Sequence, residues 1–370
     1  MLFPADPKAG YLAHQEALDQ AIRETMESGW YILGPKVASF EEHFAKYLGT
    51  SSCVGVASGT DAVSFALRAC GVGVGDRVLT VSHTAVATVS AIDWIGARPV
   101  LVDIDPRTFT LDPQKTEDTL NKMRTKQIKA IVVVHIYGHP ADMGALSEIA
   151  KRYNVALIED CAQAHGAKFN GEMAGSIGDC GAFSFYPTKN LGAFGDGGAV
   201  VTSLATIVDK LRLLQQYGWR ERYISVEAGY NSRLDELQAA ILDCKLEWLE
   251  ADNNRRRAIA DSYNEGLSGL PLELPVEVAG CRHVYHQFVI KLKDRDKLKE
   301  HMNNQGIRTA ILYPLPIHKQ SGYTERVDIG EGGMAATEQA AREILCLPIY
   351  PELSDVAVLS VIDSVRNFFK

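Results

Sequence analysis

Between about residues 35 and 205 the chain alternates helix-like stretches with short β-rich apolar runs. The runs are SCVGVAS (52–58), DRVLTVS (76–82), RPVLVDID (98–105), AIVVVHIYG (130–138), VALIED (155–160), CGAFSFYP (180–187) and GGAVVTS (197–203). That rhythm predicts an α/β fold built on a mostly parallel sheet with helices on both faces. Ligands of such sheets gather at the carboxyl ends of the strands.

A different pattern follows. Residues 233–265 carry apolar positions at helical spacing around an Arg-rich middle and predict long helices joining two bodies. Beyond about residue 271, a strand-like YHQFVIKL and helix-like DRDKLKEHMNNQG and ATEQAAREIL predict a smaller α/β unit. With 370 residues to place, the expected division is a large domain over 1–245 and a small C-terminal domain over 246–370. GVGVGD, Gly71 to Asp76, follows a predicted helix instead of opening one, which reads as a helix terminator and turn and not as a dinucleotide loop.

Composition narrows the classes. The net charge of -8 supplies no basic field for a nucleic-acid backbone. The N-terminus lacks the basic start and apolar run of a signal peptide, and no window reads as a membrane span, so a cytoplasmic protein is expected. Seven scattered cysteines without CxxC spacing predict buried, reduced thiols and no zinc knuckle. No metal is expected; His135 and His139 are four apart but flank Gly138 and precede Pro140, which spoils helical ligation.

Three strand ends carry candidate chemistry. Glu159 and Asp160 close one apolar run, where a carboxylate faces the ligand crevice. Lys189 sits in a turn between Pro187 and Gly192, after the run ending in Ser184, Phe185 and Tyr186. Ser58, Gly59 and Thr60 close another run as a helix begins, an arrangement of backbone N–H groups and hydroxyls suited to phosphate. Taken singly, a helix cap explains Asp160 or Ser58, and a solvated side chain explains Lys189. Together the three call for one explanation. Pyridoxal 5′-phosphate needs a phosphate cradle, an anion beside its ring nitrogen and a lysine for its aldehyde.

At these residues the chain resembles the DegT-type sugar aminotransferases, a family of fold-type-I pyridoxal-phosphate enzymes. The resemblance spans nearly the whole length and rests on YILGPKVASFEEHFAKYLG, ASGTDAV, IEDCAQAHGA, FSFYPTKNLGAFGDGGAVVT, GYNSRLDELQAAIL and YPLPIHKQ. It implies that Lys189 is the Schiff-base lysine and proton shuttle. It further implies that Asp160 pairs with the ring nitrogen, Gln163 reaches the ring hydroxyl, and Ser184 joins Gly59 and Thr60 at the phosphate. The family's asparagine matching Asn231 reaches the cofactor of a neighbouring subunit, which implies a homodimer with shared sites. Tyr186, Tyr313 and His318 match positions near the sugar or nucleotide.

Two departures stand out. Ala85 replaces the aromatic residue that usually stacks on the cofactor ring, and His83 is the candidate to supply that face. Leu312 replaces a histidine common just before the tyrosine of YPLPIH, which implies an altered substrate pocket. His165 lies beside the Asp160 loop without an assigned role. The implied reaction moves an amino group from glutamate to a nucleotide-linked keto-sugar, with C3 of a dTDP-3-keto-6-deoxyhexose first and UDP-linked or C4 variants behind it. A dehydratase is disfavoured because resembling dehydratases replace the lysine by histidine; a scaffold that kept the fold without turnover is the rival from another class.

Overall fold

The structure, a computed structural model, describes residues 1–123 and 127–370. Its ten principal strands are β1 Ser52–Val56, β2 Arg77–Val81, β3 Arg98–Val102, β4 Ile128–Val134, β5 Ala156–Asp160, β6 Cys180–Ser184, β7 Gly198–Thr202, β8 Phe288–Lys291, β9 Asp328–Ile329 and β10 Ile344–Leu347. The helices that bear on the site are α1 Pro35–Leu48, α2 Gly59–Ala69, α3 Val86–Trp94, α4 Glu236–Leu246, α5 Leu249–Leu267 and α6 Ala335–Glu343.

Each apolar run of the first half forms a strand, and β1 to β7 are buried over nearly their whole lengths. Continuous burial is what helices on both faces impose, and at roughly 1.5–3 kcal/mol per buried Val, Leu or Ile it is the main force assembling the layer. The sheet order is β1-β7-β6-β5-β4-β2-β3-β9. Strands β9, β3, β2, β4, β5 and β6 run parallel, while β7 is antiparallel to both β6 and β1. The winding reverses between β2 and β4, the kind of switch point beside which such sheets bind ligands.

The α4–α5 stretch is two helices broken at Glu247 and Trp248. From α5 onward a second core forms, running from Ile259 and Tyr263 to Val361 and Val365 around the antiparallel pair β8 and β10. The helix expected over ATEQAAREIL ends at Glu343. Ile344 and Leu345 instead open β10, opposite Lys291 and Ile290, where their side chains are buried. Pairing with β8 overrides the local helical pattern.

The C-terminal segment also returns to the large sheet. β9 lies parallel to β3, and Asp328 accepts hydrogen bonds from Arg98 Nε (2.8 Å) and Arg77 Nε (3.1 Å). Nearby, Asp103 accepts from Thr337 N (2.8 Å), Ala336 N (3.0 Å) and Lys115 Nζ (2.9 Å). These buried and half-buried carboxylates fasten α6 beyond the C-terminal end of β3, and β9 to the N-terminal ends of β2 and β3. Gly71, at φ 81° just beyond α2, terminates that helix as expected.

Candidate active site

Successive residues of a strand face opposite sides, and the end of β5 shows the consequence. Glu159 points to one side, where it accepts from the N–H groups of Gly175, Ile177 and Gly178 and from His135 Nε2 at 2.7–2.9 Å. His135 Nδ1 accepts from Ala141 N (3.0 Å), so the ring proton is on Nε2. Although Cys161 lies beside this pair, the cluster is closed by hydrogen bonds and reads as structural. His139 is likewise engaged in the loop, with Nδ1 on the Pro140 carbonyl at 2.6 Å and Nε2 accepting from Val278 N at 3.3 Å.

Asp160 points the other way, into a cavity of ≈ 370 Å³. Its carboxylate accepts from Thr88 Oγ1 (2.8 Å) and Ala162 N (3.2 Å). Burial pushes its pKa up, opposed by Thr88, Ala162 and the charge of Lys189. A buried carboxylate left short of positive charge suits a cationic ring nitrogen.

Lys189 lies on the turn after β6, with its N–H on the Tyr186 carbonyl at 2.8 Å. Burial pulls its ammonium down to about 8, with Asp160 opposing. The turn requires Gly192, because a Cβ there would lie 2.5 Å from the Pro187 carbonyl oxygen.

The phosphate candidate is the start of α2. Ser58 caps it by accepting from Asp61 N (3.1 Å), while the first N–H groups of a helix have no intrahelical acceptor. Gly59 is pressed against the end of β6: a Cβ would lie 2.5 Å from Ser184 Cβ. This close approach sets Gly59, Thr60 and the Ser184 hydroxyl around one point of the cavity wall.

Of the residues expected from the sequence, Gly59, Thr60, Asp160, Gln163, Ser184, Tyr186, Lys189 and Tyr313 share this cavity. Gln163 Oε1 accepts from Tyr137 N (2.7 Å) and its Nε2 donates to the Tyr313 hydroxyl (3.2 Å), leaving one amide hydrogen for a ligand. Three residues are not brought there. His83 is 1% exposed and off the cavity wall; its Nε2 bonds the Tyr137 hydroxyl at 2.7 Å and its ring lies among Phe109 and Tyr137. Thr84 and Ala85 hold its expected place on the wall. His318 spends its ring nitrogens on Ser82 Oγ (2.8 Å) and Glu338 Oε1 (3.2 Å). Asn231 is exposed and lies beyond the cavity of its own chain.

Sequence reading missed Thr88, His286 and Gln287, all on the cavity wall. Gln287 Oε1 is buried without a hydrogen-bond partner among the described residues. His165, between Phe183 and Phe185, lies behind the wall, and burial pulls it down to about 3. A lysine, a buried carboxylate and an anion-ready helix start on one cavity meet the needs of pyridoxal phosphate.

Comparison with known proteins agrees. The profile of the DegT/DnrJ/EryC1/StrS aminotransferase family matches residues 13–366. The dTDP-3-amino-3,4,6-trideoxy-alpha-D-glucose transaminase of Streptomyces venezuelae is 44% identical over 98% of this chain and 95% of its own. The UDP-N-acetyl-3-dehydro-alpha-D-glucosamine 3-aminotransferase of Acidithiobacillus ferrooxidans is 40% identical over 98% of this chain and 96% of its own. The crystal structure of S. venezuelae DesV in complex with a ketimine intermediate superposes with a TM-score of 0.95 at 44% identity, covering 100% of this chain and 98% of that one.

Proposed function

The chain belongs to the DegT/DnrJ/EryC1/StrS aminotransferase family, and from that premise we propose that it moves an amino group from glutamate to C3 of a nucleotide-linked keto-hexose. It is a pyridoxal-phosphate-dependent sugar aminotransferase. The observation that carries the reading is the convergence of Lys189, Asp160 and the Gly59–Thr60–Ser184 cradle on one cavity. A dTDP-3-keto-6-deoxyhexose is the first substrate choice, since the Streptomyces relative is named for a dTDP-3-amino sugar; the Acidithiobacillus relative keeps a UDP-linked 3-keto sugar as the second.

When bound, the cofactor supplies an aldehyde for the amino group and a ring that delocalises the electron pair left after Cα loses its proton. The chain supplies the rest. Gly59 N–H, Thr60 and Ser184 would hold the phosphate, Asp160 would keep the ring nitrogen protonated, and Gln163 would meet the ring hydroxyl. Lys189 Nζ would take the proton from Cα and give it back on the cofactor side, and a nitrogen with a pKa of about 8 suits both tasks near neutrality. The same lysine serves both halves of the exchange: glutamate leaves as 2-oxoglutarate, then the keto-sugar takes the amino group.

Tyr186 and Tyr313 orient the sugar or its nucleotide through their hydroxyls. Asn231, exposed and outside its own cavity, serves the site of a second copy, so the working form is a homodimer with shared sites. The chain divides into a large body, 1–245, and a smaller one, 246–370. Among the described residues no helix is long and apolar enough to cross a membrane; a cytoplasmic place in deoxyamino-sugar biosynthesis for a glycan or lipopolysaccharide fits this chemistry.

A coupled assay over a panel of dTDP- and UDP-linked 3-keto and 4-keto sugars, with the aminated carbon located by NMR, tests the reading. Product aminated at C3 is expected; amination at C4 alone contradicts the assignment of position.

A further inference from the structure

His286 enters the cavity from the segment just before β8 and is 4% exposed. Its Nδ1 lies 3.1 Å from Asn190 Oδ1, and Asn190 is the residue that follows Lys189. Both amide hydrogens of Asn190 are committed, one to Asn253 Oδ1 (2.8 Å) and one to the Val284 carbonyl (3.1 Å). Asn253, wholly buried on α5, donates in turn to the His165 carbonyl at 2.8 Å. The Asn190 amide therefore has one orientation, with Oδ1 toward the imidazole. An amide oxygen only accepts, so the ring proton sits on Nδ1 and Nε2 carries a lone pair.

The charged and titratable groups around this ring are Lys189 on its turn, Arg256 on α5, His165 after β5 and His283 on its own segment. Burial first, then the charges of Lys189 and Arg256, hold His286 well below its ordinary value, so it is neutral, as are the buried His165 and His283. A neutral imidazole with a fixed tautomer, on the wall it shares with Lys189, is built to accept.

Resting on the reading of Lys189 as the proton shuttle, we propose that His286 is a positioning residue for that lysine. Asn190 pins its proton at Nδ1, which leaves Nε2, on the cavity wall shared with Lys189, as the acceptor that the Lys189 amine meets when it turns toward that wall. The bond aims the lysine between its two proton-transfer positions. It also favours the ammonium over the amine, partly offsetting the effect of burial.

The test uses the full-length chain as wild type, His286→Leu, His286→Gln and Asn190→Leu. His286→Leu is expected to lower kcat roughly tenfold or more with KM for donor and acceptor unchanged. A second readout is independent of turnover: acetylation of Lys189 by acetic anhydride in the cofactor-free chain, followed across pH by peptide mass spectrometry. The bond stabilises the ammonium, so His286→Leu moves the midpoint down by about half a unit or more. His286→Gln, which places a carbonyl near the position of Nε2, recovers most of both effects, and Asn190→Leu falls between. An unmoved midpoint in His286→Leu, or a glutamine variant as impaired as the leucine one, overturns the proposal in favour of simple packing. If borohydride reduction of wild-type holoenzyme leaves Lys189 unlabelled, the reading of Lys189 fails and this inference with it; labelled Lys189 with an unmoved midpoint overturns the inference alone.

Discussion

Thr88 Oγ1 donates a 2.8 Å hydrogen bond to Asp160 Oδ2, and the Thr84 hydroxyl lies 2.9 Å behind it. A hydroxyl has one proton to give, so Thr84 donates to Thr88 and the chain of dipoles ends on the carboxylate. Burial raises the Asp160 pKa and Thr88 is the largest opposing influence. Thr88→Val removes it, so Asp160 is protonated at higher pH. A hydrogen bond to a charged group is worth about 1.5–3 kcal/mol, which predicts that the acid limb of kcat/KM moves up by about one pH unit or more. A pH profile of the variant beside wild type checks this; an unchanged limb means that Asp160 does not govern it.

Gly59→Ala sets a methyl group 2.5 Å from Ser184 Cβ. Relief requires α2 and the end of β6 to part, at the site where the phosphate is held. Overpacking of this kind costs about 1–3 kcal/mol, so cofactor affinity is expected to fall roughly tenfold or more, read by titrating pyridoxal phosphate into the cofactor-free chain.

Lys189, at about 8, is mostly ammonium at neutral pH, and only the free amine attacks an aldehyde. The rate of cofactor capture should rise roughly tenfold per pH unit below about 8 and level off above it, as stopped-flow absorbance would record. The linkage to stability has a definite sign. The folded pKa lies below the 10.5 of a free lysine, so the unfolded chain binds more protons between those values and the cofactor-free protein gains stability from this group as pH rises from about 8 toward 10.5.

Gln287 Oε1 is buried and unpaired among the described residues. A ligand hydroxyl that donates to it repairs that loss, whereas leucine has nothing to repair. Gln287→Leu is therefore expected to raise KM for the keto-sugar about tenfold while leaving KM for glutamate unchanged. Steady-state kinetics with each substrate varied in turn would show it, and an unchanged keto-sugar KM would assign Gln287 to packing.

Much of this site was legible because it is local. Asp160, Ser184 and the Ser58–Thr60 turn each follow an apolar run, and the run itself says that a strand ends there. Lys189 on its Pro187 to Gly192 turn reads alone as a solvated side chain, and only Asp160 and the Ser58–Thr60 cradle beside it mark it as a cofactor anchor. Thr88 escaped because it sits one turn into α3, where a threonine carries no spacing signal. His286 and Gln287 escaped because 97 and 98 residues separate them from Lys189, and only the docking of the C-terminal body brings them to it. β9 escaped as a two-residue strand without an apolar run, held by Arg77 and Arg98 across the sheet edge. His83 misled in the opposite sense: its position beside Ala85 pointed to the cofactor, but its ring is packed against Phe109 and bonded to Tyr137.

The central claim is that Lys189 anchors pyridoxal phosphate. Borohydride reduction of the cofactor-loaded protein, followed by digestion and peptide mass spectrometry, tests it most directly. The account predicts a phosphopyridoxyl group on the peptide carrying Lys189 and no such label in Lys189→Ala. A label on another lysine, or an equal label in the alanine variant, would contradict it.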